Sequence, residues 1–176
     1  MWCIRILVSA AFISAICWPH NGIALTHPTP VDEDDPYQFL EVLKLDPVIF
    51  NALKVDLNDT LLQKLRRDSC FQRAIFLAKM HRLMEIDKYN MLDLKDHLKL
   101  ITALPDHLME LLEKPTDRAK CHELRLASFK PLEKLVAKRC AEGKELSETL
   151  NTVKAARLTA EIEYLKFKEQ LEKPKK

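Results

Sequence analysis

The sequence predicts an all-α protein, a helical bundle of four long helices running up-down-up-down and preceded by two short N-terminal helices. Three observations carry that reading. Glycine is almost absent: of two in 176 residues, Gly22 lies near the N-terminus and only Gly143 lies in the body of the chain. Hairpins, bulges and phosphate-cradling loops depend on glycine, so β-rich folds and P-loop or dinucleotide-binding fingerprints are disfavoured. Four long stretches carry helical periodicity with only short connections between them, and the last of them holds a heptad row.

In chain order, residues 1–24 read as an export signal that is cleaved. Arg5 supplies a positive start, and Ile6–Trp18 is an uninterrupted apolar run. That run is too short for a bilayer span and near the length of a signal-peptide core. Pro19 and Asn21-Gly22 break any helix, and Gly22 and Ala24 put small residues at the −3 and −1 positions of a cut before Leu25. A cut after Cys17 and a buried N-terminal helix are the alternatives. Residues 25–35 (LTHPTPVDEDD) are proline-spaced and then acidic, which predicts an extended, flexible tail. Residues 36–173 form the expected single helical domain.

Asp35-Pro36 and Asp46-Pro47 are helix starts, because Asp caps free N–H groups and Pro at the first helical position gives up no hydrogen bond. They open short helices over about 36–45 and 47–55. The long segments follow: 60–86, opened by Asp59 or Thr60; 90–114, kinked or split at Pro105; 116–142, bent at Pro131 and closed by Gly143; and 146–172, ended by Pro174. Each predicts a rod of roughly 36–40 Å at 1.5 Å per residue, and equal rods with short connections pack as antiparallel neighbours. In the last rod Leu146, Leu150, Val153, Arg157, Ala160, Tyr164, Phe167 and Leu171 form a heptad seam broken only by Arg157. Leu158, Ile162 and Leu165 form a second apolar edge, which implies two neighbours for this helix. Apolar residues surround Cys70–Ile86 almost completely, so it reads as the most buried rod.

Charge and cysteine bound the function. The chain has 28 Lys+Arg and 26 Asp+Glu, a formal +2, and the leader contributes one Arg and no acid. A near-neutral chain lacks the basic footprint that nucleic-acid binding requires. No later apolar run reaches the length of a membrane span. Cys3 and Cys17 fall in the leader, leaving Cys70, Cys121 and Cys140. Cys121 and Cys140 are too far apart on one helix to pair. Similar levels along parallel rods favour a Cys70–Cys121 disulfide, leaving Cys140 free or able to link two copies into a covalent homodimer.

The other candidate features are weaker. Asn58-Asp59-Thr60 is a glycosylation sequon at a loop-to-helix junction, with Asn58 as acceptor. Asp93 and His97 share a helix face, but no metal-ligand spacing is complete, and the histidines read as solvent-facing. Arg66-Arg67 and Lys138-Arg139 sit inside helices and read as surface charge. Phe71, Phe76, Met80, Met84, Met91 and Met109 either line an apolar pocket or simply fill the core. No catalytic constellation and no cofactor motif is present. The sequence therefore points to a secreted, non-enzymatic protein that binds another protein, as a signalling molecule or secreted effector. The alternative is an extracellular carrier of a lipid or other small apolar ligand.

Overall fold

A computed structural model describes residues 36–172, all of which fall within one folded unit. The leader, the acidic tail, His27 and the Asp35 cap lie outside the described residues. The chain is all-α: α1 Pro36–Glu41, α2 Pro47–Leu53, α3 Leu61–Glu85, α4 Leu94–Leu111, α5 Pro115–Ala141 and α6 Ser147–Glu172, with a single 3₁₀ turn at Met91–Asp93. Among the described residues there is no β-strand.

The helix ends follow local chemistry. The Asp46 carboxylate accepts from the Val48 N–H at 2.9 Å, with Pro47 at the first helical position. Thr60, rather than Asp59, starts α3: its hydroxyl accepts from the Gln63 N–H, and the Gln63 side chain accepts from the Thr60 N–H at 2.8 Å. This reciprocal box satisfies two N–H groups that the first turn leaves free. α3 and α5 end alike. Lys88 N–H donates to the Leu83 carbonyl past Asp87, and Lys144 N–H donates to the Arg139 carbonyl past Gly143, both at 2.9 Å. Asp87 and Gly143 adopt left-handed φ of 55° and 68°, as this helix-stop geometry demands.

The rods are not equal. α3, α5 and α6 have 25, 27 and 26 residues, whereas α4 has 18. Asn90 accounts for the loss at its start, because its side chain accepts from the Leu92 N–H and sets a 3₁₀ turn before the α-helix begins, and at its end the chain turns extended at Leu112. α1 stops at Glu41 rather than near Leu45, where Lys44 takes a left-handed φ of 47°. α4 and α5 run through Pro105 and Pro131 as continuous elements.

α5 is the central helix. It packs most extensively on α6, then on α4, and also meets α2 and α3, while α3 packs chiefly on α4 and α1. Phe129, Leu132 and Val136 of α5 are fully buried with Leu77, Ile101, Leu104, Leu108 and Val153 from the surrounding helices. α6 lies along α5 through Leu150, Val153, Ala160, Tyr164 and Phe167, but the seam begins at Leu150, since Leu146 is exposed. Arg157 completes it by donating to Glu133 of α5 at 2.9 Å and to Glu161 of its own helix at 3.0 Å. Cys70–Ile86 holds all eight buried residues of α3, but apolar side chains do not mean burial on every side: Phe76, Leu83 and Ile86 face outward.

Candidate functional site

The cysteines correct the sequence reading. Cys70, Cys121 and Cys140 are all free thiols, and the expected Cys70–Cys121 disulfide is not formed. Matching levels on α3 and α5 were insufficient, because the two helices meet only sparingly and each packs mainly on α4 or other neighbours. Burial pushes the Cys70 thiol up to about 11 and the Cys121 thiol up to about 12, against partial relief from Arg73 and Arg125 respectively. Both are therefore protonated and poorly nucleophilic at neutral pH. Cys140, half-buried, donates to the Leu146 carbonyl at 3.2 Å, within the α5–α6 turn.

The histidines also differ from expectation. His81, His97 and His122 are buried rather than solvent-facing. The His81 and His97 rings approach to 5.8 Å between centroids, and His97 Nδ1 lies 3.1 Å from the Tyr89 hydroxyl. Tyr89 is itself held by Arg139, which donates to its carbonyl at 2.8 Å. Burial pulls His81 down to about 4 and His97 to about 3, so both rings are neutral at physiological pH. The Ser128 backbone carbonyl supplies one hydrogen bond to His81 and the Tyr89 hydroxyl one to His97, while Nε2 of each ring is buried without a partner. Asp93 is exposed and does not accompany His97 into the interior. Among the described residues, no group of three or more His, Cys, Asp or Glu converges so as to hold a metal ion.

Phe71, Phe76, Met80, Met84, Met91 and Met109 disperse. Met80 and Met84 are in the core, while Phe71, Met91 and Met109 pack on its edge. Phe71 lines a surface groove with Leu53 and Val55, Met84 lines another with Pro131 and Leu135, and Phe76 is 50 % exposed. Asn58 is exposed in the α2–α3 turn, and the sequon's Thr60 is the residue that caps α3.

What the sequence reading missed is the outer face of α3. Leu61, Leu65, Phe76, Leu83 and Ile86 are exposed on one side of it, at spacings that return to the same face. Apolar residues all round a helix conceal such a face, because the pattern does not say which side the fold leaves open. At its C-terminal end Phe39 of α1 joins Leu83 and Ile86 to form an apolar groove of about 480 Å³, edged by Lys79 and Arg82. Lys79 Nζ stands 5.2 Å over the Phe39 ring. Along its length α3 carries six Lys or Arg against Asp68 and Glu85, and two of the cations, Lys79 and Arg82, stand at this groove.

A contrasting constellation lies under α6. Arg125 of α5 is buried and donates to Glu163 of α6 at 2.6 Å and to the Thr102 carbonyl of α4 at 3.2 Å, and it pairs with Asp106 of α4. His122 stacks on Tyr164 and Phe167 beside it. These groups tie three helices together, with two carboxylates facing one guanidinium, while Arg125 Nε and His122 Nδ1 are buried without a hydrogen-bond partner.

The two features are a charged cluster that ties three helices together and an open apolar face edged by Lys79 and Arg82. Comparison with protein families, curated protein sequences and solved structures finds no match. Among the described residues, no helix is long and apolar enough to cross a membrane.

Proposed function

We propose that this chain is a secreted, non-enzymatic helical protein that acts by binding another protein through the outer face of α3. The observation that carries the reading is the exposed row Leu61, Leu65, Phe76, Leu83 and Ile86 beside the Phe39 groove. Scattered exposed leucines are ordinary on a soluble protein, but a row along one helix face marks a contact surface. Helical spacing suits a partner helix laid along it, and Lys79 and Arg82 suit acidic side chains on that partner. Export rests on Ile6–Trp18 and on the small residues Gly22 and Ala24, and the sequon at Asn58 fits passage through a glycosylating compartment. The up-down-up-down reading of the long helices belongs to the same proposal, supported by the packing of successive helices on one another.

Photo-crosslinking tests the reading. A photoreactive residue replaces Phe76 or Leu83, with exposed Lys95 as the control position, and the secreted protein is presented to cells and extracellular fluid of its source. A saturable adduct to one protein from the face positions alone, lost in L83E/I86E, is the expected result. Equal adducts from all positions, or none, would remove the proposal. A mature N-terminus elsewhere than Leu25 or Trp18 would remove the export reading.

A lipid carrier is the second reading, favoured by one observation. The Phe39 groove combines an apolar floor with two cations, as the tail and head of an anionic amphiphile require. Solvent extraction of the purified protein separates the two: a stoichiometric lipid, lost in L83E/I86E, would favour the carrier.

A further inference from the structure

α6 is apolar on two sides. One side lies against α5 through Val153, Ala160, Tyr164 and Phe167. On the opposite side Leu158, Ile162 and Leu165 are 50 %, 53 % and 54 % exposed. At about 100° per residue these two rows point away from each other, so no rotation of α6 buries both against α5. Such a row implies a second neighbour, and no described helix of this chain provides it.

The charges around the row indicate what the neighbour is. Lys154 lies one turn before Leu158 and Glu169 one turn after Leu165, both exposed. The flanking charges are of mixed sign (Lys154, Glu161, Lys166, Glu169), without the basic excess that an anionic membrane surface attracts. We propose that the row is the contact along which two copies of this chain pair, with their α6 helices antiparallel about a twofold axis beside Glu161 and Ile162. In that register Leu158 of one copy lies opposite Leu165 of the other, and the two Ile162 residues flank the axis, each level with Glu161 of the other copy. Lys154 lies opposite Glu169, and the twofold repeats each pairing at the other end. A parallel pair would instead set Lys154 against Lys154 and Glu169 against Glu169. Glu161, nearest the axis, is already engaged by Arg157 of its own helix at 3.0 Å, which offsets the approach of its twin. The contact is non-covalent and separate from both Cys140 and the α3 face, so it does not depend on the function proposed above.

Sedimentation equilibrium of the full-length gene product, expressed in a eukaryotic host and purified in reductant, tests this from about 5 to about 200 µM. The reductant removes any dimer linked through Cys140. A reversible monomer–dimer equilibrium is expected. Ile162→Lys should give a monomer with an unchanged circular dichroism spectrum, because the side chain it replaces is half exposed. Lys154→Glu and Glu169→Lys should each weaken association by roughly tenfold, since each breaks both symmetric pairs, and the double exchange should restore it. A wild-type monomer throughout the range, a dimer unaffected by I162K, or a double exchange no better than the singles would overturn the proposal.

Discussion

Arg125 donates to Glu163 at 2.6 Å across the α5–α6 contact, and the two differ sharply in their access to water. The guanidinium side chain is 4 % exposed, whereas Glu163 and Asp106, its two carboxylate partners, are 50 % and 59 % exposed. Removing the arginine leaves acids that water can solvate, while removing the acids leaves a buried cation without compensation. Arg125→Met, which keeps the packing, should therefore cost about 1–2 kcal/mol, and D106A/E163A about 3–5 kcal/mol. Urea denaturation midpoints check the order, and a larger loss for R125M would contradict it.

The His81–His97 pair makes stability depend on acid. Both imidazoles are pulled from 6.5 to about 4 and about 3 by burial. The unfolded chain protonates first as pH falls, so the stability due to neutral histidines is complete above pH 6.5. It declines as pH drops through 6.5 toward the folded values, and His81 alone accounts for on the order of 3 kcal/mol. H81Q/H97Q should flatten the fall in urea midpoint between pH 7 and pH 4, and an unchanged slope would assign the acid sensitivity to carboxylates. Tyr89→Phe should cost about 1–3 kcal/mol at pH 7.5, because it strips the buried His97 Nδ1 of the Tyr89 hydroxyl.

Thiol reactivity should divide two to one. Cys70 and Cys121 are buried and held as thiols, while Cys140 reaches the surface at the α5–α6 turn. In a protein that begins at Leu25, in native buffer at pH 8, a chromogenic disulfide reagent should give one fast equivalent, and the remaining two should appear only with unfolding. C140S should remove the fast phase. A native protein lighter by two hydrogens would show that Cys70 and Cys121 pair after all.

Elements were legible in the sequence where local chemistry decides them. Asp46-Pro47 set the start of α2, Gly143 set the end of α5, and the heptad row set the face of α6 that meets α5. Arg157 looked like a defect in that row because a lone cation is costly in a seam. Only the structure shows Glu133 facing it from α5. Burial of the histidines was invisible for a related reason: an imidazole on a helix reads as polar until its neutralising surroundings, here Tyr89, His81 and the Ser128 carbonyl, are known. The open face of α3 was hidden by its own hydrophobicity. The failed Cys70–Cys121 pairing turned on how closely two helices approach, which periodicity does not encode.

The two left-handed helix stops provide a last test, since they share geometry but differ in side chain. Gly143 has a φ of 68°, and a Cβ added there would meet nothing within 4 Å. Gly143→Ala should therefore cost about 1 kcal/mol through backbone strain alone. Asp87 accepts the same strain at φ 55° and gains ion pairs with Lys138 at 3.1 Å and Arg139 at 3.6 Å. Asp87→Gly relieves the strain and gives up those pairs. Salt screens exposed ion pairs but not backbone strain. The stability of D87G relative to wild type should therefore rise between low and high salt, while that of G143A should not change. Thermal melts at two ionic strengths read both differences, and a D87G difference indifferent to salt would mean that the Lys138 and Arg139 pairs contribute nothing to holding α3 against α5.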